Sequence, residues 1–378
     1  MNGEKLYYQD CHLRQFEAQV LTCAKTDRGY EVTLSQTAFY PEGGGQACDL
    51  GTLGSVRVLD VQEVEETVVH LCDGPLTVGD TVEGSIDWER RFDQMQQHTG
   101  EHIVSGIVHR LFGFNNSGFH VGSEVLTVDF DGIIPQEALA QIEAEANRVV
   151  WQNLTLRCWY PSREELPTVG YRTKRELPWP VRIVEIPGVD KCACCGVQVG
   201  MTGEVGLIKI FSCVKFHQGV RIEMACGGRA LELLNAAYDQ NRQVSQTFSA
   251  KIFETGEAAR AMSKRLADSE YRAASLQKQI FDTVAESYRG KGNVLLCRPD
   301  CPPAELRELA DRIAGICGGI AFVYSGSNIC LASRTDDLKA LGAELKSRFN
   351  ARGGGKPGFF QGTLNATAEE LEAFFPVS

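Results

Sequence analysis

Two histidines stand four residues apart in His98-Thr-Gly-Glu-His102. On one helix that spacing puts both imidazoles on a shared face, where they can hold a single metal ion. A second cluster lies downstream in Cys192-Ala-Cys194-Cys195. Thiolate plus imidazole is a characteristic zinc donor set, so the two segments together predict a site for one zinc per chain. Cys194 is the candidate sulfur, with Cys192 and Cys195 in reach of the same loop. The pentapeptide also fits H-x-x-E-H, the pattern of zinc peptidases whose glutamate activates a water. That chemistry needs a downstream carboxylate, and Glu176 is one choice among many. Glu101 either orients a water or faces solvent. His120 is a candidate for substrate hydrogen bonding or a structural histidine beside a strand. In Thr37-Ala-Phe-Tyr-Pro-Glu-Gly-Gly-Gly-Gln46, three consecutive glycines allow close backbone approaches, as a turn or as a binding loop.

These residues need elements to position them. Asp87 is a plausible N-cap, and the segment from there to about Leu111 reads as one helix. Met95, His98, Thr99, His102, Ile103 and Gly106 recur on one face of it. Before it, residues 1–88 alternate short β-type runs with turns, as in Tyr30–Leu34, Val56–Asp60 and Thr67–His70, and predict a small β-barrel-like domain. Residues 89–230 mix helix and strand patterns and carry the histidines and cysteines. From 231 to 289 the chain is nearly all helix-forming, which predicts a helical spacer or coiled-coil hairpin. Residues 290–378 read strand–helix–strand–strand–helix, an α/β module. The expected fold class is therefore α+β and multidomain.

Composition narrows the function classes. The formal charge of −11 excludes a globally basic nucleic-acid binder, yet residues 346–362 carry four cations and no acid, and residues 205–229 carry a net +3. Arg352-Gly353-Gly354-Gly355-Lys356 offers backbone amides and cations as a phosphate cradle. Phe359 and Phe360 beside it either stack on bases or divide between core and rim. The N-terminus lacks a basic stretch followed by an apolar core, and no apolar run approaches the ~20 residues of a membrane span. A cytoplasmic protein with reduced thiols is expected from its fourteen scattered cysteines, and no membrane partner.

Six segments occur in an order that resembles a known family: Thr37–Gln46, His98–His102, Cys194-Cys-Gly-Val-Gln-Val199, Thr202–Ile210, Gly219-Val-Arg-Ile-Glu223 and Gly353–Pro357. Together they look like the editing half of alanyl-tRNA synthetase and its free-standing relatives, the AlaX proteins, in their long form. The resemblance spans essentially the whole chain and implies a zinc-bearing editing domain and a C-terminal RNA-binding module of the DHHA1 type. It implies hydrolysis, in trans, of mischarged tRNA-Ala carrying serine, with glycine as a second substrate. It also implies zinc ligation by His98, His102 and Cys194, and contact of Thr37 and Gln46 with the substrate side of the site. Arg352 to Lys356 would then touch tRNA, and two chains could pair through the spacer or the terminal module. One departure stands out: where the family carries a fourth ligand, a histidine, this chain has Gln198. A three-ligand site with water, replacement by Cys192 or Cys195, and loss of the site are the alternatives. A non-catalytic tRNA-binding protein with an altered metal site is the competing function, and an HxxEH peptidase the more distant one.

Overall fold

The computed structural model describes residues 3–173, 177 and 179–377, and Glu176 lies outside them. The chain gathers into two compact units, Met1–Gln243 and Val244–Ser378. Among the described residues there are seven α-helices and several sheets, a mixed α+β architecture. No helix of the described residues is long and apolar enough to cross a membrane.

The first unit opens with six strands closed into a barrel: β1 (Gln15–Thr26), β2 (Gly29–Leu34), β3 (Gly51–Leu53), β4 (Val56–Val64), β5 (Thr67–Cys72) and β6 (Thr81–Ile86). Their order around the barrel is β1-β2-β5-β4-β3-β6. Period-two alternation sends Phe16, Ala18 and Val20 of β1, and Val68 and Cys72 of β5, into its core. His70 shares that inward face and is fully buried. Its Nδ1–H donates to Val32 O at 3.1 Å, which leaves Nε2 to accept from Thr37 Oγ1 at 2.8 Å.

Helix α1 (Trp88–Phe112) leaves the barrel with Asp87 as N-cap, its side chain accepting from Arg90 N, and it ends at Gly113, whose φ of 74° suits glycine. Met95, Ile103 and Val104 of α1 pack with Ile142 and Ala146 of α2 (Leu139–Gln152) against an antiparallel sheet. That sheet contains β7 (Asn116–Val121), β8 (Leu126–Phe130), β12 (Ile208–Phe216) and β13 (Gly219–Cys226), in the order β12-β13-β8-β7. A smaller antiparallel sheet of β9 (Arg157–Trp159), β10 (Ile183–Ile186) and β11 (Asp190–Ala193) carries the cysteine loop at its end.

The buried Arg91–Asp49 pair ties α1 to the glycine-rich segment. Both side chains are essentially inaccessible, at 0% and 1% exposure. Arg91 Nε lies 2.9 Å from both Asp49 oxygens, Nη2 donates to Ala38 O, and Asp49 also accepts from Tyr40 N at 2.6 Å. The segment from Ala38 to Asp49 is thereby pinned to the first turn of the helix that bears the two histidines.

Helix α3 (Gly227–Phe248) leads out of β13, and α4 (Thr255–Glu286) follows it. The helix-forming stretch is divided into these two helices at Ser249, which takes a φ of 51°, with Ala250 N closing back on Ser245 O at 3.0 Å. In the second unit, β14 (Gly292–Cys297), α5 (Pro303–Ala314), β15 (Gly318–Ser325), β16 (Asn328–Ser333), α6 (Lys339–Phe349), β17 (Arg352–Lys356), β18 (Phe359–Thr363) and α7 (Ala368–Phe374) follow. The five strands pair in the order β14-β15-β16-β18-β17, and α4 with α5, and α6 with α7, contribute to two separate apolar clusters against them.

Two expectations follow. Arg91→Met leaves Asp49 as an unpaired buried charge and should lower stability by about 3–5 kcal/mol, measured by urea unfolding. All four tryptophans lie in the first unit, so their fluorescence reports on it. The second expectation concerns His70, whose burial pushes its pKa down to about 4. The unfolded chain takes up this proton near pH 6.5 and the folded chain only near 4. Its contribution is therefore complete above pH 6.5 and lost as the pH falls through that window, by about 3 kcal/mol. The same unfolding experiment on His70→Leu should lack that component.

Candidate metal centre and active site

A cavity of about 730 Å³ opens between the barrel, α1, β7 and the cysteine loop. His98, His102 and Cys194 line it, and their ligand-type atoms all lie within 4.8 Å of one another. Among the described residues no other sulfur joins both imidazoles: Cys192 groups with His102 and Asp190, and Cys195 lies 4.0 Å from Tyr40 Oη.

The orientation of each donor is set from behind. Gln46 Oε1 accepts from His98 Nδ1 at 2.9 Å and from Val197 N at 3.2 Å. His102 Nδ1 donates to Asp190 Oδ2 at 3.1 Å. Because amide and carboxylate oxygens only accept, both Nδ1 atoms carry hydrogens and both Nε2 lone pairs are left for a metal. Asp190 is itself gripped by Arg172, through Nε at 2.7 Å and Nη2 at 2.9 Å. Burial alone would raise the Asp190 pKa; His102 and Arg172 outweigh it and hold the carboxyl at about 2.

The cysteine loop is held by its carbonyls. Arg182 Nη1 donates to Cys194 O at 3.0 Å and Gly196 O at 2.8 Å, and Tyr8 Oη donates to Cys195 O at 2.6 Å. Gly196 presses against the first imidazole, where an added Cβ would meet His98 Cε1 at 2.1 Å. Gly45 plays a similar part across the cavity: its φ is 82°, and a Cβ there would meet the Phe119 ring at 2.5 Å. Burial would push the Cys194 thiol up, but the two imidazoles beside it bring it well below the usual thiol range. A thiolate and two imidazole nitrogens at this separation suit zinc chemically.

Glu101 is buried and lines the cavity, hydrogen-bonded by Ser105 Oγ and Asn116 Nδ2, with Oε2 4.0 Å from His102 Nε2. It does not face solvent. Asn116 also lines the cavity, and its Oδ1 is buried without a donor among the described residues. Gln198 sits behind the sulfur, buried, with Nε2 3.7 Å from Cys194 Sγ.

Other sequence-selected residues fall elsewhere. Thr37 is locked in the barrel core by His70 and does not line the cavity. His120 is exposed and is not among the lining residues, whereas its neighbour Phe119 lines the cavity 5.0 Å from the His98 ring. Strand neighbours point to opposite faces, and the side chain of interest is one residue earlier. Arg352 to Lys356 belong to the second unit and form exposed strand β17 rather than a loop. Its glycines permit this close pairing: a Cβ on Gly355 would lie 1.9 Å from Phe359 O, and one on Gly353 2.3 Å from Gln361 O. Phe360 is buried and Phe359 half-buried beneath Arg307, a division between core and rim. In residues 205–229, Lys209, Arg221 and Arg229 pair with Glu143, Asp129 and Asp93, while Lys215 is exposed.

Asp190, Arg172, Asn116, Tyr8 and Arg182 also serve the site. Asp190 had a faint signal in its place just before Cys192; the others come from segments with no motif of their own. Among the described residues, the donor that joins both histidines is a thiolate, where an HxxEH peptidase would carry a carboxylate.

Residues 4–90 match the family described as tRNA synthetases class II (A), and residues 181–223 match the threonyl and alanyl tRNA synthetase second additional domain. The chain is 30% identical over 365 residues to an alanine–tRNA ligase of Ignicoccus hospitalis, covering 93% of this chain and 40% of the ligase. It is 26% identical over 396 residues to the alanyl-tRNA editing protein Aarsd1 of Mus musculus, covering 97% and 96% of the two chains. For the Danio rerio protein of the same name the identity is 24% over 390 residues, with 96% and 94% covered. The chain thus spans under half of the ligase and nearly all of the editing proteins. The two family matches and the full-length relatives together support an AlaX-type editing protein, the resemblance that its ordered motifs carry.

Proposed function

We propose that the chain is a trans-acting aminoacyl-tRNA deacylase that hydrolyses mischarged tRNA-Ala, with Ser-tRNA-Ala as substrate and Gly-tRNA-Ala as a second. The observation that carries this reading is the meeting of the two family-matched segments at one cavity. Gly44 and Gly45 come from the first and Cys194 from the second, and α1 adds His98, Glu101 and His102. The full-length relatives named as alanyl-tRNA editing proteins point the same way. In this reading residues 1–88 are the barrel-like domain, 89–230 the editing domain, 231–289 the spacer and 290–378 the RNA-binding module, and the protein works in the cytoplasm.

The reaction adds water to an ester that is already activated. The water oxygen bonds to the acyl carbon, the bond to the terminal ribose oxygen breaks, and that oxygen leaves with a proton. Zinc held by His98, His102 and Cys194 would supply a Lewis acid at the cavity wall. Glu101, fixed by Ser105 and Asn116, is placed to orient the water and take its proton. Asn116 Oδ1 offers an acceptor to a donor on the aminoacyl group. Gln46 and Asp190 keep the two imidazoles in the tautomer that ligation needs. Three protein donors fit a catalytic site better than a closed structural one. This favours the enzyme over the metal-altered binding protein.

The direct test is deacylation of Ser-tRNA-Ala and Ala-tRNA-Ala by zinc-loaded protein. Serine should be released rapidly and alanine slowly, with about one zinc per chain. His98→Ala and Cys194→Ala should each reduce zinc content and slow serine release on the order of 100-fold. Hydrolysis no faster than the spontaneous rate would overturn the enzyme reading. For the RNA-binding module, Arg352→Glu with Lys356→Glu should weaken tRNA affinity and flatten its salt dependence. Hydrolysis of a minimal acylated acceptor stem should stay near wild type.

A further inference from the structure

Gln198 lies at the back of the metal centre, at 2% exposure, and does not line the cavity. Its amide is oriented by a neighbour on α1. Thr99 Oγ1 accepts from Val199 N at 3.1 Å and lies 2.8 Å from Gln198 Oε1. With the amide oxygen facing Thr99, the hydroxyl proton has an acceptor and Nε2 points at Cys194 Sγ, 3.7 Å away. Turned the other way, the hydroxyl proton would lose that acceptor, and an amide oxygen would face a thiolate, acceptor against acceptor. A buried network pays for such a mismatch in full. The same sulfur accepts from Gly196 N at 3.3 Å. Two N–H groups from one short loop therefore converge on it, and charge-assisted bonds of this kind favour the ionised thiol.

We propose that Gln198 is a positioning residue, locked by Thr99, that donates to the Cys194 sulfur instead of ligating the metal. The protein would then supply three donors, His98, His102 and Cys194, and a metal held there would keep a position open to the cavity. The inference rests on the metal centre proposed above, and one experiment separates the two.

The full-length protein, stripped of metal, is titrated with cobalt(II) and followed by its sulfur-to-cobalt charge-transfer and ligand-field bands. Binding of one cobalt with a sulfur band tests the metal centre itself; absence of binding by the unaltered protein overturns that reading and this one with it. Azide added to the loaded wild-type protein should change the ligand-field bands, because it can take the non-protein position. Gln198→Ala should keep one cobalt and the sulfur band but bind it about 10-fold more weakly, the scale of lost second-sphere contacts. Thr99→Val should do the same, and Thr99→Ser should restore wild-type affinity. Gln198→His, which introduces a fourth donor, should bind cobalt more tightly and lose the azide response.

Unchanged affinity in Gln198→Ala contradicts the positioning role. A loss of cobalt as complete as in His98→Ala would show Gln198 to be a ligand. If Gln198→Ala does not fold, equal affinities for Thr99→Val and Thr99→Ser overturn the proposal instead.

Discussion

A thiolate recessed in a protein wall is costly unless positive charge and N–H donors surround it, and the structure is organised around meeting that need at Cys194. Two imidazoles, the Gly196 amide and the Gln198 side chain all face the one sulfur. Their placement draws on every layer of the first unit. Gln46 reaches from the glycine-rich segment to one imidazole, and Asp190 reaches from the small sheet to the other. Arg182 and Tyr8 fix the loop that bears the sulfur. Displacing any of these would disturb the donor set without touching a donor.

The Arg91–Asp49 pair extends this dependence into the fold. The loop from Ala38 to Asp49 has few regular backbone pairings of its own, and a buried ion pair at the start of α1 holds it in place. Gln46 is three residues from Asp49 and His98 two turns along from Arg91. A stability element and a site element are thus the same short stretch of chain. Glycines at 45 and 196 let the two loops approach the site closely, one against Phe119 and the other against His98.

Helical spacing made His98 and His102 legible in the sequence, since a period of 3.6 brings i and i+4 together wherever the helix sits. Spacing alone does not separate Cys194 from Cys192 and Cys195, which lie in reach of the same loop. Strand phase was harder. His120 and Phe119 look equally placed in one sequence, and only the register of β7 against β8, with Phe119 opposite Val128, settles which side each occupies. Thr37 lies next to the glycine-rich loop in sequence, yet its hydroxyl is committed to His70 in the barrel. Arg91, Asp190 and Arg172 act through partners far away in sequence, beyond the reach of local patterns. The triple glycine at 353–355 read as a loop because glycine is common in turns. In the structure it serves close strand pairing.

The central claim is a metal centre built from two imidazoles and a single thiolate, with Gln198 outside the coordination sphere. X-ray absorption at the zinc edge of the loaded full-length protein tests it most directly. The account predicts one sulfur, at about 2.3 Å, two imidazole nitrogens and one further light atom. Two sulfurs would bring Cys192 or Cys195 into the site, and no sulfur would remove Cys194 from it; either result would contradict the account.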